Sequence, residues 1–192
     1  MKRFILASAS PRRKEILENA GFDFEIIVSD VDENITEDLS PSETVEELAK
    51  RKALAVWEEN KDAVVFGCDT VVAVDGRILG KPRDDDEAFE MIKMLSGKAH
   101  TVSTGVCICS EDKISVFSNT TNVEFYPLSD ETIRSYVATG ESRDKAGAYG
   151  IQGYGSVLIK EIKGDYFSVM GLPVSESSRV LADFGIFGKV RV

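Results

Sequence analysis

The chain has 192 residues, with 23 Lys or Arg and 33 Asp or Glu, so its formal net charge is −10. This length suits one large domain or two closely associated lobes. An apolar content of 43% can build a core and excludes a disordered chain. The negative charge argues against a general nucleic-acid-binding protein, which needs a basic face for phosphate contacts.

The cysteines and the single histidine exclude other classes. Cys68, Cys107 and Cys109 lie in apolar surroundings without Cys-x-x-Cys spacing, which predicts buried thiols in a reducing compartment. His100 stands alone in a β run and is expected to be a strand residue rather than a zinc ligand or a catalyst. The apolar run at residues 4–7 is too short for a signal peptide or a membrane span, so we expect a cytoplasmic protein.

Strands and helices are interspersed along the chain. Asp75-Gly76 is a two-residue hairpin signal, which excludes a purely parallel sheet. Residues 166–173 are expected to form a loop that packs the last helix. The pattern predicts an α/β or α+β protein with a mixed sheet. Its elements, in chain order, are strand 3–7, a helix from Pro11, strand 23–28, helix 41–59, strands 63–74 and 77–81, helix 84–95, strands 100–109 and 113–125, helix 129–138, a glycine-rich loop 144–155, strand 156–162 and a helix from Pro173.

The first candidate site lies where the first strand passes into the first helix. Ser8 and Ser10 precede Pro11, with Ser10 as the expected N-cap, and Arg12 and Arg13 occupy the first helical turn. Cations there oppose the helix dipole, which favours anions. Two solvated arginines are the alternative, but the arrangement favours a phosphate site built from backbone N–H groups, hydroxyls and guanidinium groups.

Lys52 interrupts the apolar stripe of helix 41–59. A lysine in such a position either extends its stem toward solvent or points its ammonium into a cleft, and the sequence leaves both open. The stripe itself consists of Val45, Leu48, Ala49, Ala53 and Val56.

Asp69 and Thr70 lie inside a long apolar strand. A carboxylate there is costly unless it is paired, hydrogen-bonded or bound to metal. A turn at residues 75–76 predicts that Thr70 pairs with Lys81, so a carboxylate, a hydroxyl and an ammonium fall within one region. An Asp that bonds nearby backbone at a strand kink is the alternative.

Two further segments are candidates. The acidic stretch 30–33 is solvated by default, but a carboxylate from it could join Asp69 to hold Mg²⁺, which needs only one or two protein carboxylates besides substrate phosphates. The loop 144–155 has closely spaced glycines that allow backbone to approach a ligand, and Gln152 offers the donor and acceptor that read a base edge. A tight structural loop is the competing interpretation.

These residues, in this order, resemble the Maf family, whose members are also called septum-formation-inhibitor-like proteins. The resemblance covers essentially the whole chain, as a single domain over residues 1–192 with two lobes. The matching segments are Ser8-x-Ser-Pro-Arg-Arg13, Glu33, Lys52-Ala53, Asp69-Thr70, Gly80-Lys81-Pro82, the block from Asp144 to Gly153, and Gly171-Leu-Pro173.

The resemblance implies a nucleoside triphosphate pyrophosphatase that releases a nucleoside monophosphate and pyrophosphate with Mg²⁺ or Mn²⁺. It implies an α/β fold with a mixed twisted sheet flanked by helices, two lobes around a deep cleft similar to the inosine triphosphate pyrophosphatases, and often a homodimer. Asp69 matches the acid/base position. Arg12, Thr70 and Gln152 match the specificity set of the branch that acts on dTTP and UTP.

In the predicted reaction, metal-assisted water attacks the α-phosphorus. Glu33 and Asp69 would hold the metal, and Asp69 could instead act only as a base. Modified pyrimidine nucleotides are candidate substrates. The alternative is a non-catalytic nucleotide-binding regulator of septum formation that acts in cell-division arrest. The residues expected to neutralise the triphosphate are Ser8, Ser10, Arg12, Arg13, Lys52 and Lys81.

Overall fold

A computed structural model describes residues 2–35 and 38–192. Helices and strands alternate along them, and none of the helices in these ranges has the length and apolar character that a membrane crossing requires. The strands are β1 (Arg3–Leu6), β2 (Glu25–Ile26), β3 (Ala63–Val74), β4 (Arg77–Leu79), β5 (Ala99–Cys109), β6 (Ile114–Phe125) and β7 (Ile159–Lys163). The helices are α1 (Pro11–Asn19), α2 (Pro41–Glu58), α3 (Asp85–Leu95), α4 (Asp130–Ala138), α5 (Tyr166–Met170) and α6 (Val174–Asp183), with 3₁₀ segments at Glu141–Asp144, Ala146–Ala148 and Gly153–Leu158.

The described strands form one seven-stranded mixed sheet in the order β2-β1-β3-β5-β6-β7, with β4 paired to β3. β1 is parallel to β2 and β3, whereas the β3–β4 and β6–β7 pairs are antiparallel. Val74 pairs with Arg77 and Val72 with Leu79, the register that the Asp75-Gly76 turn predicts. The predicted α/β class with a mixed sheet flanked by helices is confirmed.

The chain divides into two compact units. The first contains the described residues of 1–69 with Thr104–Asn119 and Gly171–Val192, and the second contains Thr70–Ser103 and Thr120–Met170. β3, β5 and β6 each contribute residues to both units, because the divisions fall within these three strands. Each unit has its own buried apolar cluster.

In the first unit, α2 packs directly on β3 and β5. A capping box starts the helix: the Glu43 amide donates to Ser40 Oγ at 3.3 Å, and the Ser40 amide donates to a Glu43 carboxylate oxygen at 2.9 Å. Glycines in both strands permit the close approach. A Cβ on Gly67 would lie 2.7 Å from the Ala53 nitrogen, and one on Gly105 would lie 2.7 Å from the Glu46 nitrogen. The strand backbones therefore meet the helix without side chains between them.

Several predicted boundaries are wrong. The strand predicted at 23–28 is reduced to Glu25–Ile26, an edge strand bonded only to β1. The return strand predicted at 77–81 ends at Leu79, so the expected strand pairing of Thr70 with Lys81 does not form. The strand predicted at 156–162 begins at Ile159, because a 3₁₀ segment occupies 153–158. The loop expected at 166–173 contains the short helix α5.

The predicted buried thiols are confirmed. Cys68, Cys107 and Cys109 are buried and form no disulfide, and Cys107 and Cys109 belong to the apolar cluster of the first unit.

His100 lies in the core of the second unit, where it is 3% exposed. A hydrogen bond of 2.8 Å joins its Nε2 to the Tyr149 hydroxyl, and its ring meets those of Phe125 and Tyr149 edge to face. The prediction of a strand residue is confirmed. Burial lowers the pKa of His100 from 6.5 to about 4, so the imidazole is neutral at pH 7.

We expect His100 to make stability depend on pH. The unfolded chain binds its proton near pH 6.5, whereas the folded protein binds it only near pH 4. Above pH 6.5, His100 is therefore neutral in both states and does not lower the free energy of unfolding. As the pH falls from 6.5 toward 4, the unfolded chain takes up the proton first, and the free energy of unfolding falls by about 3 kcal/mol. Urea unfolding of the wild type and of His100→Gln measures this, since the variant lacks the titrating group. Parallel curves of unfolding free energy against pH for the two proteins would show that the pKa of His100 is not lowered on folding.

Candidate active site

The first unit brings together one lysine and two carboxylates. Lys52 Nζ on α2 donates to Asp69 Oδ1 on β3 at 2.5 Å and lies 2.8 Å from Glu33 Oε1 in the loop before α2. The Lys52 and Asp69 side chains are each 12% exposed, whereas that of Glu33 is 58% exposed. Lys52 therefore directs its ammonium toward carboxylates and does not extend its stem into solvent.

The periodicities of α2 and β3 explain this pairing. Gly67 and Asp69 are two residues apart and lie on the same face of β3. On that face, a Cβ on Gly67 would meet Ala49, about one helical turn before Lys52, and Ala53, the residue after it. The close contact at Gly67 thus places Lys52 beside the next inward position of the strand, which is Asp69. A buried carboxylate requires such a partner.

Arg51 fastens the loop that carries Glu33. Its Nη1 donates to the backbone carbonyls of Asp32 at 3.3 Å and Asn34 at 3.0 Å, on either side of Glu33. Its Nε donates to Glu47 at 2.8 Å, which orients the guanidinium from within the helix. Sequence reasoning missed Arg51 because an arginine beside the apolar stripe has the usual character of a solvated helix position.

Arg13 holds the segment from Ser8 to Arg13 in place. Its Nη1 donates to Ser8 Oγ at 3.1 Å and to the Cys68 carbonyl at 2.7 Å, and its Nε donates to the Gly171 carbonyl at 2.8 Å. Arg13 therefore joins the end of β1 to the residue before Asp69 on β3. Phosphate binding by Arg13 stays a prediction beside this internal role.

Ser10 begins α1 as predicted, with Pro11 at the first helical position, but its hydroxyl does not cap the helix. Instead the Ser10 amide donates to Ser8 Oγ at 3.2 Å. Ser8 is buried, whereas Ser10 and Arg12 are half-buried at the start of the helix. The first turn of α1 has no acidic residue, so it keeps the anion-favouring character of a helix N-terminus.

Cys68 lies directly before Asp69 and is buried. Burial raises the pKa of its thiol to about 11, so it is protonated at neutral pH. The thiol donates to the Gly171 carbonyl at 3.1 Å, which gives it a structural role.

Thr70, Lys81 and Gln152 belong to the second unit. The Gly147 amide donates to the Gly80 carbonyl at 3.0 Å, so the glycine-rich loop meets the chain next to Lys81. A Cβ on Gly147 would lie 2.9 Å from the Val72 side chain. The loop thus packs against the β3–β4 hairpin, with Lys81 exposed and Gln152 half-buried.

Glu33 and Asp69 are the carboxylates that could hold a divalent metal. Both contact the same cationic atom, Lys52 Nζ, so their oxygens converge on one point. Within the described part of the chain, no cluster of three or more His, Cys, Asp or Glu could hold a metal by itself. Such a donor set fits Mg²⁺ or Mn²⁺ that also takes oxygen ligands from substrate phosphates.

Comparison with solved structures agrees with the mixed sheet and its flanking helices. The Staphylococcus aureus Ham1 protein superposes with a TM-score of 0.50, covering 82% of this chain and 80% of that one. At 18% sequence identity the likeness concerns the fold alone. The chain therefore has an α/β fold of the kind seen in that protein.

The family follows from sequence comparison. The model of the Maf-like protein family matches residues 3–184, and the chain belongs to this family. Similar relatives from Bacillus cereus (strain AH820), Bacillus thuringiensis and Bacillus anthracis are each named dTTP/UTP pyrophosphatase. Each is 54% identical over 186 residues, which is 97% of this chain and 97% of the relative. The resemblance to the Maf family is confirmed.

Proposed function

We propose that this protein is a nucleoside triphosphate pyrophosphatase that hydrolyses dTTP and UTP, and also modified pyrimidine nucleotides. The observation that carries the proposal is the convergence of Asp69, Glu33 and Lys52 in the first unit. The proposed substrate class is inferred from relatives that are 54% identical and named dTTP/UTP pyrophosphatase.

In the proposed reaction, a water oxygen forms a bond to the α-phosphorus while the α–β phosphoanhydride bond breaks. The products are a nucleoside monophosphate and pyrophosphate, and the water gives up its proton. Asp69 receives that proton or holds the metal, and both roles require an ionised carboxylate. Lys52 donates to Asp69 Oδ1 and thereby orients the carboxylate.

Glu33 and Asp69 would hold Mg²⁺ or Mn²⁺. The metal would supply charge neutralisation at the phosphate oxygens. Lys52 would orient both carboxylates before substrate binds, because its ammonium contacts both of them. Arg51 would keep Glu33 in place through the carbonyls on either side of it.

The triphosphate would bind through hydroxyls, amides and cations. Ser8, Ser10 and Arg12 lie at the start of α1, where the helix dipole favours an anion. Arg13, Lys52 and Lys81 would add positive charge. Electrostatic stabilisation of the transferring phosphoryl group would then supply most of the rate enhancement.

Gln152 would recognise the base together with Arg12 and Thr70. Among the described residues, no hydrogen bond engages the Gln152 carboxamide, so its donor and acceptor are both available. Gln152→Ala is expected to lower kcat/KM for UTP relative to GTP by about tenfold, since one hydrogen-bonded contact is worth about 1.4 kcal/mol. Pyrophosphate release from both nucleotides measures this ratio. An unchanged ranking of nucleotides would refute the role.

A non-catalytic nucleotide-binding regulator of septum formation is the second candidate. It would use the same phosphate contacts but would need no carboxylate beside them, and the buried Asp69 therefore counts against it.

We further propose that residues 1–192 form one domain, because three strands contribute to both units. We also propose that the protein forms a homodimer, as the family often does. It acts in the cytoplasm and does not bind nucleic acid directly.

The deciding experiment measures pyrophosphate release from a panel of nucleoside triphosphates with Mg²⁺ or Mn²⁺, with Asp69→Asn alongside. Metal-dependent release from dTTP, UTP and close analogues, lost in the variant, would support the enzyme. Saturable nucleotide binding without release would favour the regulator.

A further inference from the structure

Glu141 accepts three hydrogen bonds, two from the glycine-rich loop and one from Tyr136 on α4. Its Oε1 accepts from the Gly155 amide at 2.9 Å and from the Tyr136 hydroxyl at 3.1 Å, and its Oε2 accepts from the Tyr154 amide at 2.8 Å. Hydrogen bonds to a carboxylate are about twice as strong as those between neutral groups. The carboxylate thus anchors the backbone that follows Gln152.

Tyr136 extends this anchor to the other side of Gln152. Its hydroxyl accepts from the Gly150 amide at 3.2 Å while it donates to Glu141. Tyr136 is 4% exposed, and burial raises its pKa, so the hydroxyl keeps the proton that it donates. Together, Glu141 and Tyr136 hold the chain at Gly150, before Gln152, and at Tyr154 and Gly155, after it.

The glycines of the loop fit against this pair. A Cβ on Gly153 would collide with the Glu141 carboxylate, lying 3.2 Å from its Cδ, and Gly153 has a φ of +68°. A Cβ on Gly155 would lie 3.1 Å from the Tyr136 hydroxyl. The backbone around Gln152 is therefore in contact with both anchoring side chains.

Lys145 holds the backbone of Glu141. Its Nζ donates to the Glu141 backbone carbonyl at 2.6 Å and to the Asp144 carboxylate at 2.7 Å. The anchor is thus tied to the loop at residues 144–145 as well as at 150–155. Gln152 itself is extended, with φ −85° and ψ 162°, between the anchored positions.

We propose that Glu141 is a positioning residue for nucleotide selectivity: directly and through Tyr136, it holds the backbone on both sides of Gln152 and so fixes the position from which the carboxamide reaches the base. This rests on the proposed function, in which Gln152 reads the base. A backbone that is already fixed at Gln152 loses little freedom when the base binds, so discrimination between bases depends on the anchor. Triphosphate binding does not involve this carboxylate and is expected to be unaffected.

The test compares Glu141→Gln with Glu43→Gln. Glu43 is the control, because its carboxylate likewise accepts from backbone and hydroxyl donors, here the amide and the hydroxyl of Ser40 in the capping box of α2. The readout is the ratio of kcat/KM for UTP to that for GTP. We expect the ratio to fall about tenfold in Glu141→Gln, which loses a charged acceptor, and to stay unchanged in Glu43→Gln. Inhibition by inorganic tripolyphosphate, a phosphate-only probe, is expected to be the same in both variants.

A double variant separates positioning from general loop stability. If Glu141 acts through Gln152, Glu141→Gln changes the ratio in the wild-type background but produces no further change in Gln152→Ala. Should Glu141→Gln fail to fold, Tyr136→Phe removes the anchor at Gly150 and is expected to shift the ratio in the same direction.

An unchanged ratio in folded Glu141→Gln, or an equal change in the Gln152→Ala background, would overturn the positioning role. The proposed function fails in a different way, by the absence of pyrophosphate release from the wild type. If the wild type binds nucleotides without cleaving them, the same ratio is taken from the dissociation constants of UTP and GTP.

Discussion

Asp69→Asn is expected to lower turnover by about a hundredfold or more while the protein stays folded. The amide removes the charge needed by a base or a metal ligand, but it keeps an oxygen that can accept from Lys52. Lys52 also retains Glu33 as a charged partner at 2.8 Å, so the buried ammonium is not left unpaired. Pyrophosphate release and near-ultraviolet circular dichroism measure activity and fold in the same preparation.

Asp75→Asn is the matched control for this substitution. Asp75 directly follows the same strand and pairs with Lys98 at 2.7 Å, but its side chain is 62% exposed in the hairpin turn. Asparagine tolerates the positive φ of 50° at this position. The control should retain wild-type turnover. Near wild-type turnover in folded Asp69→Asn would refute the role assigned to Asp69.

Metal titration separates the two roles that remain open for Asp69. If the carboxylate holds metal, Asp69→Asn raises the Mg²⁺ or Mn²⁺ concentration that gives half-maximal activity. If it acts only as a base, the residual activity saturates at the wild-type metal concentration with a lower kcat. Glu33→Gln serves as the comparison, because Glu33 contacts Lys52 from the exposed side and its proposed role is metal binding alone.

Much of this site could be predicted from local patterns. Helical spacing places Lys52 within an apolar stripe, and a carboxylate inside the apolar strand 63–74 requires a partner. Neither pattern identifies the other as that partner, because the residues are 17 positions apart and meet only through packing. The resemblance to the Maf family grouped the two residues in one site, and the structure supplies their contact.

Other features had no local signal. Arg51 holds the Glu33 loop through backbone carbonyls, which have no sequence signature. The two residues of β2 are exposed and bonded to one neighbour, so their extent depends on β1 rather than on their own alternation. α5 has five residues, too few to show helical periodicity, and starts where the Asp165 carboxylate accepts from the Phe167 amide at 2.8 Å.

Gly67 is the position where fold and chemistry depend on the same close contact. Gly67→Ala would put a Cβ against the Ala49 carbonyl and 2.7 Å from the Ala53 nitrogen. Both are backbone atoms, so no change of side-chain rotamer can relieve the clash. α2 would have to move away from β3. We expect unfolding free energy to fall by about 3 kcal/mol, the upper range for overpacking, and the melting temperature by about 6–12 °C. The displacement also separates Lys52 from Asp69, so kcat of the folded fraction should fall.

Two further glycine variants separate the loss of stability from the loss of kcat. Gly80→Ala meets nothing within 4 Å and should change the unfolding free energy by less than about 0.5 kcal/mol. Gly105→Ala would press on Val45 and Glu46, one to two helical turns before Lys52, and should destabilise α2 with a smaller loss of kcat. Because Gly67 faces the residues that flank Lys52, its variant should lose more kcat than Gly105→Ala at equal folded fraction. Equal losses would show that the contact at Gly67 supports stability without setting the geometry of Lys52 and Asp69.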